Sequence, residues 1–242
     1  MSAPEGTAEM SSAAESLDRW RRQASKMSDG ASSNSIYAAF EEKVRLLCGT
    51  GDLLDFGAGT GHLIRRLFRS GQFRTVTGAD LYPRSADLPA EIGWIEGDLN
   101  NQLPAPAAAF DTIVAAEVIE HLENPRAVAR EFFRLLRPGG LLVFSTPNNE
   151  SVRSLIALAV RGHFVAFGDS SYPAHITALT GTDLRRILTE SGFGRIDVSY
   201  TDTGSIPGLP SRSWQSILGK RARGVRFSDN LVVAARKPDG AT

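Results

Sequence analysis

Apolar positions change period along this chain, and the changes divide it. Residues 1–14 are small and polar, carry a proline, and are expected to be a disordered tail. Between 15 and 27, Leu17, Trp20 and Met27 are apolar while Arg21, Arg22 and Lys26 are not, which fits a short helix. Asp29 to Asn34 reads as a turn. Ile36 to Cys48 fits a helix whose apolar face carries Ile36, Ala39, Phe40, Val44, Leu46 and Leu47. Short apolar runs then follow at 51–56, 73–79, 92–95, 110–116 and 141–145. Helical stretches at 60–70 and 125–136 and loops rich in Pro and small residues separate them. Leu141 to Ser145 is nearly continuous in apolar character, as in a strand buried on both faces. Pro138-Gly139-Gly140 is expected to stop the helix before it. Strands alternating with helices in this way predict βαβ units and a mostly parallel sheet.

Residues 147–179 break the rhythm. Val152 to Val160 fits a short helix. The stretch from Arg161-Gly162-His163 to Tyr172-Pro173 holds too much Gly, Ser and Pro for a regular element. Lying just after the fifth strand, it is a candidate substrate lid. A helix at 182–191, a strand at 196–200, a loop at 201–212, a short helix at 214–223 and a last strand at 230–235 complete the pattern. The division expected is a helical cap at 15–49, a main domain at 50–237 with an insertion at 147–179, and a frayed tail at 238–242.

Charge and composition narrow the picture. Lys and Arg balance Asp and Glu, 27 against 27, so global charge gives no reason to expect nucleic acid or an anionic membrane as partner. One local exception is the basic group Arg212, Lys220, Arg221, Arg223 and Arg226, which reads first as a solvated face. Aromatic residues for stacking bases are sparse there, with only Trp214 and Phe227 nearby. The single cysteine, Cys48, cannot form an internal disulfide and is expected to be a buried thiol. No stretch reaches the length of a membrane span, and the N-terminus lacks the apolar core of a signal peptide, so a cytoplasmic location is expected.

The densest chemistry is at 53–62, Leu-Leu-Asp-Phe-Gly-Ala-Gly-Thr-Gly-His. Gly57, Gly59 and Gly61 stand at every second position between a strand and a helix. Glycines permit positive φ, and a helix N-terminus offers unpaired N–H groups, so such a turn can hold a nucleotide-type cofactor. Purely steric reasons for a glycine-rich turn stand beside this reading. Asp80 follows Gly57 by 23 residues, near the ~20-residue interval at which an acid meets a ribose. Asp98 follows the third strand, and Asp55 lies in the turn itself. After the fourth strand come Glu117, Glu120 and His121, at i, i+3 and i+4, which on a helix share one face. Two carboxylates and an imidazole suit a divalent metal. Alternatively Glu120 orients His121 as a general base, or the pair caps the next helix at Asn124-Pro125.

Asp-Phe-Gly-Ala-Gly-Thr-Gly resembles the first motif of class I S-adenosylmethionine-dependent methyltransferases, and Leu136-Arg137-Pro138-Gly139-Gly140 resembles their pattern before the fifth strand. The resemblance spans roughly residues 50–146. It implies an α/β, doubly wound, Rossmann-like fold with a seven-stranded, mostly parallel sheet and an antiparallel last strand. S-adenosylmethionine is the implied cofactor, with Asp55, Gly57, Ala58, Gly59, Gly61, Asp80, Leu81, Asp98, Leu99 and Glu117 at its site. Asp80 is implied at the ribose and Asp98 at the adenine amino group, with Leu99 packing on the base. Ala116-Glu117-Val118-Ile119-Glu120-His121-Leu122 is similar to a segment of the O-methyltransferases of ubiquinone biosynthesis. A similar block holds magnesium in small-RNA 3′-end 2′-O-methyltransferases, where a later histidine completes the site; His175 matches it by position. His121, Glu120 and His175 are thus the implied catalytic residues, and magnesium is an open second cofactor. The implied reaction is methyl transfer to a hydroxyl of a small molecule such as a quinone precursor, phenol or sugar. RNA 2′-O-methylation, N-methylation and a non-catalytic cofactor-binding module are the alternatives. Trp20, Tyr37, Phe164, Phe167 and Tyr172 are candidate pocket aromatics.

Overall fold

The computed structural model describes residues 16, 19–23, 30 and 32–240. The expectations for the tail at 1–14 and for Leu17, Lys26 and Met27 fall outside the described residues. Residues 19–23 are helical. The regular elements that follow are α1 (Asn34–Leu46), β1 (Asp52–Phe56), α2 (His62–Arg69), β2 (Thr75–Asp80), β3 (Gly93–Glu96), β4 (Phe110–Ala116), α3 (Pro125–Leu135) and β5 (Leu136–Pro147). After these come α4 (Val152–Arg161), α5 (Gly181–Glu190), β6 (Gly194–Tyr200), β7 (Ser205–Ile206), β8 (Leu209–Ser213), α6 (Trp214–Leu218) and β9 (Asn230–Arg236).

Seven strands form one sheet in the order β3-β2-β1-β4-β5-β9-β6. β1 pairs in parallel with β2 and β4, and β4 pairs in parallel with β5. β9 runs antiparallel between β5 and β6. The chain therefore has the expected doubly wound architecture, with the last strand reversed. Order reverses beside β1, where the chain leaves for β2 on one side and later returns to β4 on the other. In open α/β sheets that switch point opens a crevice at the strands' carboxyl ends.

Both faces of the sheet are covered. Ile36, Tyr37, Phe40 and Val44 of α1 and Leu63, Ile64 and Leu67 of α2 pack on Leu53, Val76, Val114, Leu141, Val143 and Val232. On the other face Val128, Phe132 and Leu135 of α3 and Leu184, Ile187 and Leu188 of α5 meet Leu54, Phe56, Ile113, Leu142, Phe144 and Val233. Alternate residues of one strand thus feed two cores. Helix ends follow their sequences. Asn124 accepts the Ala127 N–H before Pro125, and Thr180 with Asp183 forms a capping box.

Four local expectations are corrected. Cys48 is exposed, because it follows the end of α1 in a left-handed conformation, φ 52°, that swings it off the apolar face. Leu46 is likewise 59% exposed, one residue past the helix's last buried turn. The helix α3 ends before Pro138-Gly139-Gly140, at Leu135, since Leu136 is already extended and pairs with Phe110. Those glycines instead form an irregularity inside β5. The loop expected at 201–212 contains the hairpin β7–β8, whose strands are too short and too polar to show a period.

Candidate functional site

The glycine turn adopts the left-handed geometry that its residues permit, with φ 81°, 50° and 82° at Gly57, Gly59 and Gly61. A Cβ at Gly57 would lie 2.5 Å from Val118, and one at Gly61 would lie 2.7 Å from Leu88. Steric need and ligand access therefore act together at this turn. Gly57 and Ala58 donate N–H bonds to the Ala79 carbonyl, tying the turn to the end of β2. Asp80, at that end, accepts the Gly59 N–H at 2.8 Å and the Tyr82 N–H at 3.2 Å. Burial pushes its carboxyl above the usual range, against these backbone bonds.

Below the turn Asp55 is 1% exposed, and its Oδ2 has no hydrogen-bond partner. Burial, then the nearby Asp80 charge, raises it to about 8. A buried carboxyl with an open acceptor beside a cavity is a ready partner for an ammonium or hydroxyl donor.

A cavity of about 1020 Å³ runs from this turn along the carboxyl ends of the strands. Asp55, Gly57, Ala58, Gly59, Asp80, Leu81, Asp98, Leu99, Glu117, His121 and His175 all line it. Of the expected site residues, Gly61 and Glu120 are not in its lining. Trp20, Tyr37 and Tyr172 line it too, and Phe164 and Phe167 do not; Phe167 instead packs against the His175 ring. His163 faces the neighbouring Phe164 carbonyl through Nδ1 and does not line the cavity.

Asp98, implied at the adenine amino group, is already engaged within the chain. Oδ1 takes donors from Asn100, and Oδ2 takes Arg21 Nη1 at 2.6 Å and Asn101. Arg21 also grips Glu123 through Nε and Nη2. Gly30 adds a second tie, its carbonyl accepting both N–H and hydroxyl of Thr60. Nothing in a lone arginine of the sequence pointed to this bridge.

The acidic block is not one helical face. Glu117 has φ 55°, left-handed for a side-chain-bearing residue, so it precedes and does not join the 3-10 turn that holds Glu120 and His121. Its carboxylate accepts Ser145 Oγ and Asn230 Nδ2, each at 2.7 Å. Asn230 was missed in the sequence because it begins a strand more than a hundred residues away. Burial raises the Glu117 carboxyl.

Glu120, His121 and His175 do converge, with one ligand atom of each within 4.8 Å of the others. A short backbone ladder makes this happen. Ile176 and Thr177 donate their N–H groups to the Glu120 carbonyl, each at 3.0 Å, and Thr177 Oγ1 donates to Leu122 O. His121 Nδ1 faces Ala174 O at 2.8 Å, and His175 Nδ1 faces Ala166 O at 2.6 Å. A carbonyl only accepts, so each Nδ1 carries the proton and each Nε2 keeps its lone pair. Burial lowers His121 to about 4, with His175 adding to the shift, and burial lowers His175 as well. Glu120 is fully buried, and neither oxygen makes a hydrogen bond of ordinary geometry. Burial and then the Glu117 charge raise it well above the usual carboxylate range.

A family model described as a methyltransferase domain matches residues 4–197. The ubiquinone biosynthesis O-methyltransferase of Psychrobacter arcticus is 31% identical over 156 residues, covering 60% of this chain and 60% of that protein. The malonyl-[acyl-carrier protein] O-methyltransferase of Serratia marcescens is 34% identical over 143 residues, covering 54% and 55%. The chain thus spans about 60% or less of the length of these curated relatives. Among solved structures, a SAM-dependent methyltransferase from Thermotoga maritima superposes with a TM-score of 0.60 at 18% identity, over 93% of this chain and 95% of that one. One from Archaeoglobus fulgidus gives 0.59 at 17%, over 84% and 93%. At these identities the superpositions speak for the fold.

Proposed function

This chain belongs to the class I S-adenosylmethionine-dependent methyltransferases, and from that premise we propose that it transfers a methyl group to a hydroxyl of a small molecule. One observation carries the reading. A single cavity joins the glycine turn to the two histidines, so a cofactor at one end and a nucleophile at the other share one space. The O-methyltransferases among its relatives favour an oxygen over a nitrogen as acceptor.

The turn fits the cofactor. Asp80 keeps acceptor capacity for ribose hydroxyls, the unpartnered Oδ2 of Asp55 suits an ammonium, and Leu81 and Leu99 offer apolar surface to a base. Asp98 serves the adenine end by exchanging an asparagine contact while keeping Arg21. Bound there, S-adenosylmethionine supplies a sulfonium methyl that is already activated. The chain's own work is to align the acceptor and exclude water. The segment at 147–179 supplies the substrate side, through Tyr172, Pro173, His175 and Ile176 at the cavity.

The cluster also fits a metal. Two neutral imidazoles and an enclosed carboxylate with open oxygens are a ligand set in waiting. Glu120, His121 and His175 would hold a divalent cation, which would lower the pKa of a substrate hydroxyl. Nitrogen donors suit manganese, iron, cobalt or zinc better than magnesium, which prefers oxygen. Without a cation, the His121 Nε2 lone pair is the group placed to accept the hydroxyl proton.

Among the described residues no helix is long and apolar enough to cross a membrane. The reading is of an enzyme of the cytoplasm. Calorimetric titration with S-adenosylmethionine, then methyl transfer assays on catechols, sugars and RNA with and without divalent cations, test it. Tight cofactor binding and cation-stimulated methylation of a small hydroxylated compound are expected. Uptake of a nicotinamide dinucleotide instead, or methylation of RNA alone, would overturn it.

A further inference from the structure

Six carboxyls and two guanidiniums line the cavity among the described residues, and their pairing is uneven. Arg21 is held by Asp98 and Glu123, and Arg65 by Asp87. The other three acids take no cation. Asp80 accepts backbone N–H groups, Glu117 accepts a hydroxyl and an amide, and Asp55 Oδ2 accepts nothing. They follow one another across the sheet: Asp80 ends β2, Asp55 lies in β1 and Glu117 follows β4, in the strand order β2-β1-β4. A cleft lined by a surplus of one charge attracts a ligand of the other.

Of these three, Glu117 is the most closely held. Ser145 Oγ accepts the Glu117 N–H at 3.1 Å and donates to Oε1 at 2.7 Å, so one hydroxyl closes a ring on the residue's own backbone. Asn230 Nδ2 donates to Oε2 at 2.7 Å. Ser145 lies in β5 and Asn230 opens β9, so two neighbouring strands converge on one side chain. Its φ of 55° is left-handed, a conformation that costs a residue with a side chain about 1–3 kcal/mol and persists where its surroundings over-determine it. Both donors are neutral. They fix the carboxylate in place without cancelling its charge, and of its roughly four lone-pair sites they leave some open to the cavity.

We propose that Glu117 is the counter-charge for the cofactor's sulfonium, placed by Ser145 and Asn230 as positioning residues, and that it lets the protein tell cofactor from spent product. The inference rests on the methyl-transfer reading above and deepens it. A methyl group must leave the cofactor where the cofactor's space meets the acceptor's. Glu117 stands at that junction, with Asp55 before it in strand order and His121 after it in the chain. Asp55 is left for an amino group and Asp80 for a ribose, groups that cofactor and product share. Transfer breaks the S–C bond, leaves its electron pair on sulfur, and sends the hydroxyl proton through His121 to water. The sulfonium charge is then gone from the site, and its attraction to Glu117 goes with it. A carboxylate bonded by neutral donors alone thus grips the charged form and loosens the product.

Calorimetric titration of chelator-treated full-length protein with three ligands tests it. They are S-adenosylmethionine, S-adenosylhomocysteine, and the analogue in which a protonated amine replaces the methylsulfonium. Glu117→Gln keeps the side chain's shape and removes its charge. Its affinity for the two cationic ligands should fall about tenfold or more, while its affinity for the uncharged sulfide stays within about twofold. The sulfide arm also reports the fold. Asn230→Leu should shift the same ratio in the same direction, by about threefold or more, which a residue that merely braced β9 would not do. Equal losses for all three ligands, a loss that spares the amine analogue, or an unchanged ratio in either variant would each overturn the inference and leave the cofactor reading standing. Uptake of none of the three by wild type would overturn both.

Discussion

At the glycine turn Asp80 holds the N–H groups of Gly59 and Tyr82, and the turn's own amides find the Ala79 carbonyl. Behind His121 and His175, which line the far end of that cavity, Glu120 is buried with neither oxygen in a hydrogen bond of ordinary geometry, and one ligand atom of each of the three residues lies within 4.8 Å of the others. One end is satisfied by its own chain, and the other is held open by its backbone. A polar group left open in a core costs stability, and persists where it serves something other than folding. The difference teaches where the fold ends and the chemistry begins. Residues at the first end should lose folding and binding together, whereas residues at the second should trade one against the other.

Glu120→Met gives the largest and sharpest break. The substitution keeps volume and removes an unpaired buried carboxyl. Methyl transfer is expected to fall about 10²–10³-fold, with S-adenosylmethionine affinity unchanged within about twofold. In chelator-treated protein, stability should rise by about 1–4 kcal/mol. Denaturation, turnover and calorimetry on one preparation check all three. A loss of stability would mean that Glu120 has a structural partner, and the contrast would fail. Added divalent cation should stabilise wild type and leave the variant unmoved.

Asp80→Ala comes next and should move everything in one direction. It deletes a carboxylate that accepts two backbone N–H groups, and hydrogen bonds to charged groups are worth about 1.5–3 kcal/mol. Cofactor affinity should fall by about 10–150-fold, and the melting temperature should fall as well. Unchanged affinity would reduce Asp80 to a turn residue.

The alternation of strands and helices and the glycine turn were legible because each rests on neighbours in sequence, whereas the reversed last strand was implied only by the family resemblance. Short, nearly continuous apolar runs mark β1 and β5 as strands buried on both faces, and three glycines spaced by two announce left-handed backbone. Asp80 was legible because helix and strand lengths fix its interval from the turn. From spacing alone the cluster was legible only in its first two members, and His175 was named only through the family resemblance. The meeting of His175 with His121 depends on a ladder from Thr177 and Ile176 to the 3-10 turn, a contact across more than fifty residues that no local period encodes. Glu117 was misplaced for a related reason. Spacing by three and four puts residues on one face only if the backbone is helical, and φ at Glu117 is positive. Cys48 failed in the same way, two residues beyond a helix.

Asp55 lies between the two behaviours and supplies a pH test. Its folded value is about 8, against about 3.9 in an unfolded chain. Between those values the folded chain holds the extra proton. Stability from this group is therefore lost as pH rises across the window. Asp55→Asn should remove that slope. The gap in melting temperature, variant above wild type, should widen steadily from pH 5 to pH 8 in cofactor-free protein. A constant gap would show that Asp55 is ionised in the fold and already partnered.

Arg21→Gln is the smallest test and asks which end the N-terminal segment serves. Its guanidinium bridges Asp98 and Glu123, with side-chain exposures of 19%, 19% and 42%. Ion pairs this accessible to water are worth at most about 1 kcal/mol, so the melting temperature should hardly move. The bridge nevertheless crosses the mouth of the cavity beside the residue expected to meet adenine. Cutting it should speed cofactor release a few-fold in stopped-flow, with turnover at saturation unchanged, because the methyl-accepting end never touches it. Should turnover fall instead while release stays the same, the segment acts on the histidine end, and the division of the cavity into a satisfied half and an open half would have to be redrawn.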